Sequence, residues 1–236
     1  MEISFFLESI FALARGASIT ILLSILSLIL GGIVAIVIVM MRLLGGMVLR
    51  LIASAVVGIL RGTPLLVQLY LVYYGLPQIG VVLQAYTVAI IVLSLYMGAY
   101  LSEALRGAIE SISYSQIEGA ISLGLSRWQA LRVVVLPQAI RLTIPPSANQ
   151  FISMLKESSL VSQIAIMELT LTATWIISWT FRAFETYLLA AAIYLIITTA
   201  FTFIAGWLEK RTAIPGTEVR NLDHLDIELN KLENLA

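Results

Sequence analysis

The sequence predicts an all-α membrane protein with about five transmembrane helices. Of its 236 residues, 60% are hydrophobic and only 12% are charged, whereas soluble domains carry about 25% charged residues. Mean hydropathy is +0.98, and several apolar runs are long enough to cross a bilayer. We therefore expect one transmembrane domain over residues 1–211, followed by a polar tail at 212–236.

The first predicted span covers residues 17–41, which contain no charged residue. Its serines and threonines, with the pair Gly31-Gly32, offer small surfaces for close helix packing. A short turn follows around Gly45-Gly46. Residues 47–60 have a helical pattern but carry Arg50, which predicts an amphipathic elbow that leads into the next span. The alternative is that they form the first half of that span.

The second predicted span begins near Pro64 and ends near residue 80. Thr63 suits the N-cap and Pro64 suits the first helical position. This start keeps the Arg61 guanidinium at the interface, where it avoids the cost of a charge in mid-membrane. An uncharged hairpin at 76–84 leads to a third span at 86–107, which carries Glu103 and Arg106 near its end.

The second half of the chain predicts two further spans. Residues 110–136 form a polar segment, and the fourth span covers 138–162. Pro145 and Pro146 near its start predict a kink or a delayed start of the helix. Residues 165–183 predict an interfacial helix or a re-entrant piece, and the fifth span covers 184–207.

Lysine and arginine are distributed unevenly between the connections, which predicts the orientation. The hairpin at 76–84 has no basic residue, and the N-terminal segment has only Arg15. The positive-inside rule therefore places the N-terminus outside and the tail in the cytoplasm. The basic residues on the predicted cytoplasmic side include Arg42, Arg50, Arg106, Arg127, Arg132, Arg141, Lys210, Arg211 and Arg220.

The composition argues against catalysis by this chain. It has no cysteine, its single histidine is His224, and its only aspartates are Asp223 and Asp226, all in the tail. Intramembrane metalloproteases, Ser/His proteases and aspartyl proteases therefore cannot be built in residues 1–222. No phosphate-loop motif is present, so this chain cannot supply an ATPase. Net charge is zero, and nothing indicates nucleic acid binding.

The polar segment carries a spaced motif that we call the coupling loop, residues 112–137. It reads Glu118-Gly119-Ala120, three residues, Gly124, nine residues, Val134, one residue, then Leu136-Pro137. This spacing resembles the EAA loop by which the membrane subunits of ABC importers dock on their ATPase subunits. A glycine, Gly119, stands where that family usually has alanine.

Two further stretches are similar to permeases for polar amino acids of the histidine/glutamine/arginine uptake type. They are Arg61-Gly62-Thr63-Pro64-Leu65-Leu66-Val67-Gln68-Leu69 and Met154-Leu155-Lys156-Glu157-Ser158-Ser159-Leu160-Val161-Ser162. The resemblance covers roughly residues 15–210 and leaves out the acidic tail.

The resemblance implies the type I ABC importer permease fold in a multi-pass prokaryotic inner or plasma membrane protein. It also implies a second permease subunit, a dimer of ATPase subunits and an extracytoplasmic substrate-binding protein. The carried substrate would be a polar or basic amino acid. ATP and magnesium would bind to the ATPase subunits, so this chain would need no cofactor. Whether the second subunit is a copy or a homologue stays open.

The coupling loop is expected to form a short helix over 115–123, because Gly124 permits a turn that a Cβ would obstruct. Such a helix can seat in a groove of a soluble partner. The expected contacts are Ala120, Leu123, Gly124 and Leu125, with Glu118 and Arg127 at the rim and Gly119 and Pro137 completing the motif. The alternative is a solvated linker.

The fourth span predicts a polar stripe that could contact substrate. Charges inside a membrane are costly and should face a cavity or a partner. The stripe consists of Asn149, Ser153, Lys156 and Gln163, with Glu157 adjacent. Glu103 of the third span, which can also pair with Arg106 at i+3, is the remaining expected substrate contact. The alternative is structural ion pairing, either Glu103 with Lys156 or Lys156 with a facing subunit. The sequence leaves two roles open for Arg61, an anchor for a phosphate group or an ion-pair partner of Glu110.

One polar stripe cannot enclose a solute path, so we expect two membrane subunits with the substrate between them. The resemblance implies alternating access driven by ATP binding and hydrolysis in the partner ATPase. Two other classes stay open. A proton-coupled secondary amino-acid transporter would use Glu103 or Glu157 for coupling, although no internal repeat is visible. A channel or structural membrane subunit would use the charges for assembly only.

Overall fold

A computed structural model describes the backbone of residues 2–212 and the side chains of residues 8–212. Within that range the chain is helical, with short turns and no strand. The helices are α1 (Glu2–Leu44), α2 (Met47–Gly62), α3 (Leu65–Tyr70), α4 (Ala85–Ser111), α5 (Tyr114–Ser122), α6 (Arg127–Ala130), α7 (Leu136–Glu157), α8 (Leu169–Thr180) and α9 (Ala183–Thr212). Three of these helices are continued by a segment of π- or 3-10 helix. A π-helix, Leu71–Gly75, and a 3-10 helix, Leu76–Ile79, follow α3. A π-helix, Leu131–Val135, follows α6, and a 3-10 helix, Ser158–Ile164, follows α7.

The described helices confirm the predicted all-α membrane fold. Three are long and apolar enough to cross a bilayer: Glu8–Leu44, Ala85–Ser111 and Ala183–Thr212. Two bent pairs bring the number to five if each pair is one span. They are Met47–Gly62 with Leu65–Ile79, bent by 107°, and Arg127–Ile164 with Leu169–Thr180, bent by 51°.

The predicted elbow is α2, which ends where the chain turns into α3. Its buried residues are Ala53 and Val57, which pack on α1 and α4. The predicted N-cap at Thr63 is wrong, because the cap position is Pro64, in an extended conformation. The Thr63 hydroxyl instead donates to the Ile59 carbonyl at 2.8 Å and closes the end of α2. A residue before proline is driven out of the helical region, which fits this break.

Small residues allow α1 and α4 to approach closely. A Cβ on Gly98 would lie 2.6 Å from Val34 Cγ1 and 3.0 Å from the Gly31 carbonyl oxygen. A Cβ on Gly31 would lie 2.8 Å from the Met97 Cβ. Backbone contact of this kind is how membrane helices gain van der Waals packing without a hydrophobic drive between them. The α1–α4 pair thus forms the centre of the bundle.

The two prolines of the fourth span lie inside α7, which begins at Leu136, well before Pro145 and Pro146. The expected delayed start is therefore wrong. Prolines remove two backbone donors, and membrane helices tolerate this where neighbouring groups compensate. Nearby, the Thr143 hydroxyl donates to the Ala139 carbonyl at 2.7 Å.

The segment predicted as interfacial or re-entrant contains α8. Its residues Leu169, Ala173 and Ile176 are buried against α1 and α9, while Trp175 and Trp179 are exposed and meet edge to face at 4.5 Å. One side of α8 therefore belongs to the packed bundle, and the other presents two aromatic rings.

Candidate functional site

The coupling loop presents a short helix, α5, followed by a closed turn. Its observed range, Tyr114–Ser122, matches the predicted helix at 115–123 to within one residue at each end. Gly124 has φ +89°, a conformation that residues with a Cβ rarely adopt. The Gly124 N–H donates to the Ile121 carbonyl at 2.9 Å and the Leu125 N–H to the Ala120 carbonyl at 3.2 Å. These two bonds form a Schellman motif, which fixes the direction of the chain after α5.

A second device fixes the start of α6. The Ser126 hydroxyl accepts from the Gln129 N–H at 3.2 Å, and Gln129 Oε1 accepts from the Ser126 N–H at 2.8 Å. This reciprocal capping box satisfies two backbone donors at once. The pattern Ser-x-x-Gln that forms this box is a helix-start signature that can be seen in the sequence. It rigidifies the loop immediately after Gly124 and places Trp128, half exposed, beside the turn.

Most of the predicted docking residues are accessible. Leu123 is 87% exposed at the tip, an unusual position for a leucine in contact with water. Leu125 is half-buried. The other accessible members of the predicted set are Glu118, Gly119, Gly124, Arg127 and Pro137. Ala120 is only 6% exposed, so its side chain offers little surface to a partner in this single chain. The helix α5 on which it lies packs against α6 and the segment Leu131–Val135.

The polar stripe lies largely on an accessible face of α7 and its 3-10 extension. Asn149, Lys156 and Gln163 are exposed, and Ser153 is half-buried. Tyr70 donates its hydroxyl to Gln163 Oε1 at 3.4 Å, which links the end of the stripe to α3. The stripe therefore faces out of this single chain.

Glu157 flanks the stripe and is incompletely satisfied. Tyr96 donates to its Oε1 at 3.4 Å, a long hydrogen bond. Its other oxygen, Oε2, is buried and has no hydrogen-bond partner among the described residues. Buried carboxylate oxygens are normally paired, so this atom has the capacity to accept a hydrogen bond from a group outside the chain.

Glu103, by contrast, is surrounded by cations. Its Oε1 accepts from Arg42, and its Oε2 lies 2.9 Å from Arg106 Nη2 and 3.3 Å from Arg61 Nη1. The carboxylate is 16% exposed. The Arg61 guanidinium also lies over the Tyr100 ring, 5.1 Å from its centroid. We call this group the Glu103 cluster; it ties α1, α2 and α4 together.

These contacts decide the ionic pairings that the sequence left open within this chain; a pair between Lys156 and a facing subunit, and a phosphate at Arg61, stay predictions. The expected pairing of Glu103 with Arg106 is confirmed. Arg61 pairs with Glu103, and it is Arg106 that binds Glu110, at 2.5 Å. The structural pair between Glu103 and Lys156 is not formed within residues 8–212, where Lys156 is exposed.

Sequence reasoning missed a buried carboxylate, Glu168, at the start of α8. Its side chain is completely buried and accepts from the Leu171 N–H at 2.8 Å as a helix cap. Tyr194 on α9 donates to it at 3.0 Å and Thr20 on α1 at 3.4 Å. An acidic residue alone in an apolar stretch is itself a signal that such partners exist. This group, the Glu168 cluster, joins α1, α8 and α9.

Taken together, the fold and the site define a class: a polytopic helical membrane protein that presents an exposed loop with a capped turn and an accessible polar helix face. Within the described residues no group of three or more His, Cys, Asp or Glu side chains could hold a metal ion.

The sequence comparisons identify the family. Residues 27–214 match the binding-protein-dependent transport system inner membrane component family, and the chain belongs to it. It is 37% identical over 204 residues to the glutamine transport system permease protein of Escherichia coli strain K12, covering 86% of this chain and 93% of that protein. It is also 37% identical to a probable amino-acid ABC transporter permease protein of Bacillus subtilis strain 168, covering 88% and 92%.

Solved structures agree. The fold superposes on a crystal structure of an amino acid ABC transporter with histidines at a TM-score of 0.84 and 37% identity, covering 87% of this chain and 96% of that chain. A methionine ABC transporter in an inward-facing conformation shares the fold at a TM-score of 0.72 and 18% identity, covering 86% and 97%. Membership of this family makes the chain a transport subunit of the type I importer fold and not an enzyme. It supports the ATP-driven expectation over the proton-coupled one.

Proposed function

We propose that this chain is the permease subunit of an ATP-driven importer of polar or basic amino acids. The observation that carries the proposal is the coupling loop, a rigid helix and turn that expose Leu123 at the tip. The permease names of the relatives, which include glutamine and amino-acid transport, support the substrate class. Residues 1–211 would act as one transmembrane domain.

The proposed orientation is N-terminus outside and C-terminus in the cytoplasm of a prokaryotic inner or plasma membrane. The positive-inside rule supports it, because the coupling loop carries Arg127 and Arg132 while the hairpin at 76–84 carries no basic residue. The polar tail at 212–236, which lies outside the described residues except for Thr212, would then be cytoplasmic.

Docking would bring the loop into a groove of an ATPase subunit. Leu123 and the half-exposed Trp128 offer apolar contact, and Glu118 and Arg127 offer charged rims. The Schellman turn and the capping box hold these groups in place before binding, which lowers the entropic cost of association. ATP and magnesium would be bound by the ATPase subunits, which would move two docked loops together and switch the core between outward and inward access.

The substrate would pass between two permease subunits, each contributing the stripe on α7. Glu157, with its unpaired Oε2, is the proposed acceptor for a substrate ammonium group. Asn149, Ser153, Lys156 and Gln163 would supply hydrogen bonds and a positive charge for the carboxylate. We assign Glu103 to the structure, because three arginines already engage it. The extracytoplasmic binding protein would deliver the amino acid.

The test uses two glycines with matched backbones. Gly124 and Gly80 have φ +89° and +85°, and a Cβ at either position would meet nothing within 4 Å. Gly124→Arg lies in the coupling loop, and Gly80→Arg lies within the hairpin at 76–84, on the opposite predicted side of the membrane. The two substitutions therefore impose similar local strain and add the same charge.

We expect Gly124→Arg to abolish co-purification with the ATPase subunits in detergent and ATP-dependent amino-acid uptake in liposomes. Gly80→Arg should retain the ATPase. Equal ATPase capture by both variants, each folded by size-exclusion profile, would refute docking through this loop. Uptake that persisted without the ATPase and followed a proton gradient would refute the ATP-driven function itself.

A further inference from the structure

An open apolar groove of about 430 Å³ runs between α1, α4, α7 and α9. Its walls include Ile25 of α1, Ile140 and Ile144 of α7, and Leu208 of α9. At one end, Phe151 of α7 and Phe201 of α9 meet edge to face with ring centroids 5.0 Å apart. The lining is almost entirely apolar, which suits a hydrocarbon chain.

The groove lies on the opposite side of α7 from the polar stripe. Phe151 lines the groove and Asn149 belongs to the stripe, and two residues rotate an α-helix by about 200°. Lys156, five residues from Phe151, also points to the far side by the same rule. If the stripe faces the second permease subunit, which rests on the proposed function, the groove lies on the side of α7 that is turned away from that subunit.

Two arginines that do not line the groove lie just beyond its lining residues at the other end, Arg141 next to Ile140 on α7 and Arg211 one turn after Leu208 on α9. From the phenylalanine pair, the lining continues down α7 toward Ile140 and along α9 toward Leu208, so both helices follow the groove in the same direction in space. Arg141 lies ten residues from Phe151, and Arg211 lies ten residues from Phe201. Ten helical residues span about 15 Å, which is half of the roughly 30 Å hydrocarbon core of a bilayer.

The arginine end also has the features of a membrane interface. The Arg211 guanidinium stacks 4.3 Å from the Trp207 ring centroid, and tryptophan is enriched at headgroup level. Arg141 is exposed and forms no ion pair within residues 8–212. With Lys210 and Glu209 as the neighbouring charges on α9, three cations stand against one anion, and the local charge is basic.

We propose that this groove binds an anionic phospholipid, with one acyl chain along α7 and α9 and its phosphate between Arg141 and Arg211. Basic positions at the end of grooves between membrane helices suit anionic headgroups, and arginine is well matched to phosphate geometry. The apolar wall takes the acyl chain over the depth of one leaflet. The bound lipid would fill the space between α7, which carries the two prolines, and α9, the fifth span.

The test measures lipid retained by the complete transporter, permease with its ATPase subunits, after exchange from mixed phosphatidylglycerol and phosphatidylcholine micelles into detergent. Native mass spectrometry would count the bound lipids. We expect retention of phosphatidylglycerol over phosphatidylcholine. Arg141→Gln with Arg211→Gln should reduce that preference by about 30-fold, since each basic residue near an anionic headgroup contributes roughly fivefold. Ala205→Phe, which fills the groove, should abolish retention of either lipid.

Matched controls separate the groove from general charge and bulk. Lys210→Gln removes a cation from the face of α9 opposite the groove and should leave the preference unchanged. Ala200→Phe adds the same ring at an exposed position outside the groove and should retain the lipid. Equal retention of the two lipids by the native transporter, or retention by Ala205→Phe, would overturn the proposal.

The absence of native cysteine allows a direct test for a competing occupant. Ala205→Cys would be the only thiol in the chain. Efficient cross-linking of two permease subunits through this position by a short bifunctional maleimide would mean that a second copy fills the groove and would overturn lipid binding. No cross-link, with reactivity blocked by added phosphatidylglycerol, is the expected result. Capture of the ATPase by the same variant reports separately on the proposed function.

Discussion

The clusters around Glu103 and Glu168 differ from the face of α7 around Glu157 in how completely this chain satisfies their carboxylates. Glu103 is held by three arginines, and Glu168 by a backbone N–H and two hydroxyls. Glu157 has one long bond from Tyr96 and an oxygen without a partner in the described chain.

The difference separates charges that hold the bundle together from a charge that is available to a ligand. Burying a carboxylate costs free energy unless hydrogen bonds or counter-charges replace water. Both clusters make that replacement between helices, so each joins three of them. On the α7 face, Glu157 has lost water around its carboxylate without gaining a partner for Oε2. That partner must come from water, substrate or the second subunit. The same residue type therefore has two uses in one bundle.

Removing the Glu168 side chain should have the largest effect on stability. Glu168→Ala removes the acceptor that caps the Leu171 N–H. It leaves the Tyr194 hydroxyl only its bond with Thr170 and the Thr20 hydroxyl only the Gly16 carbonyl as an acceptor. We expect a loss of about 4 kcal/mol in the free energy of unfolding, from the lost helix cap, the two lost bonds to the carboxylate and the cavity left in a buried site. Thermal unfolding of the detergent-solubilised transporter measures it.

The double variant Glu168→Ala with Tyr194→Phe is the control, because it removes the Tyr194 hydroxyl together with the carboxylate that accepted its hydrogen bond. It should recover part of the lost stability. If Glu168→Ala unfolded at the same temperature as the native transporter, the Glu168 cluster would not hold α8 to its neighbours.

Glu103→Ala should have the next largest effect. It leaves Arg42, Arg61 and Arg106 facing one another without the central anion. We expect a loss of about 2–3 kcal/mol, below the value for a fully buried pair, since the carboxylate is 16% exposed and solvent screens the charges. Thermal unfolding at low and high salt would measure it, and the loss should shrink at high salt because screening reduces the repulsion.

Restoring the original net charge of the Glu103 cluster provides the comparison for that variant. Glu103→Ala combined with Arg61→Gln removes one of the three cations and should be more stable than Glu103→Ala alone. A double variant less stable than the single one would show that packing of Arg61 on Tyr100, rather than charge balance, dominates the Glu103 cluster.

The sequence predicted local features of the fold better than distant ones. The break at Gly45-Gly46, the elbow and the coupling-loop helix follow from residues that act on their own neighbourhood, such as Gly124 with its positive φ. Of the kink or delayed start expected at Pro145 and Pro146, the delayed start was wrong, because α7 begins at Leu136 and runs through both prolines. The Thr63 cap failed because Pro64 is itself extended and takes the cap position, so the helix begins one residue later, at Leu65.

The site shows the same limit. The pairing of Glu103 with Arg106 was predictable from i+3 spacing, whereas Arg42 and Arg61 reach the same carboxylate from two other helices. Glu168 was missed because its partners Thr20 and Tyr194 lie far away in the sequence. The inward position of Ala120 depends on how α5 rests on the core, which spacing alone does not specify.

Glu157→Gln should change stability little and transport strongly. Because Oε2 has no partner in the described chain, an amide should cost less than about 1 kcal/mol in unfolding free energy. Loss of a charged hydrogen bond to a substrate ammonium should lower uptake in liposomes by about 10- to 100-fold. Glu103→Gln is the matched control, since it should lower stability more than it lowers uptake per folded transporter. Unchanged uptake by Glu157→Gln would remove Glu157 from the substrate path.

The smallest effect should come from the ion pair between Arg106 and Glu110, which extends the Glu103 cluster to the helix surface. Glu110 is 63% exposed and Arg106 is 44% exposed, and pairs at i,i+4 on exposed helices contribute about 0.3–0.5 kcal/mol. A double-mutant cycle with Glu110→Gln and Arg106→Gln should give a coupling energy in that range. The cycle between Arg106 and Glu103 should give a larger value, because that carboxylate is less exposed. Equal coupling in the two cycles would mean that burial does not set the strength of these pairs, and the distinction between satisfied clusters and the open face of α7 would lose its energetic basis.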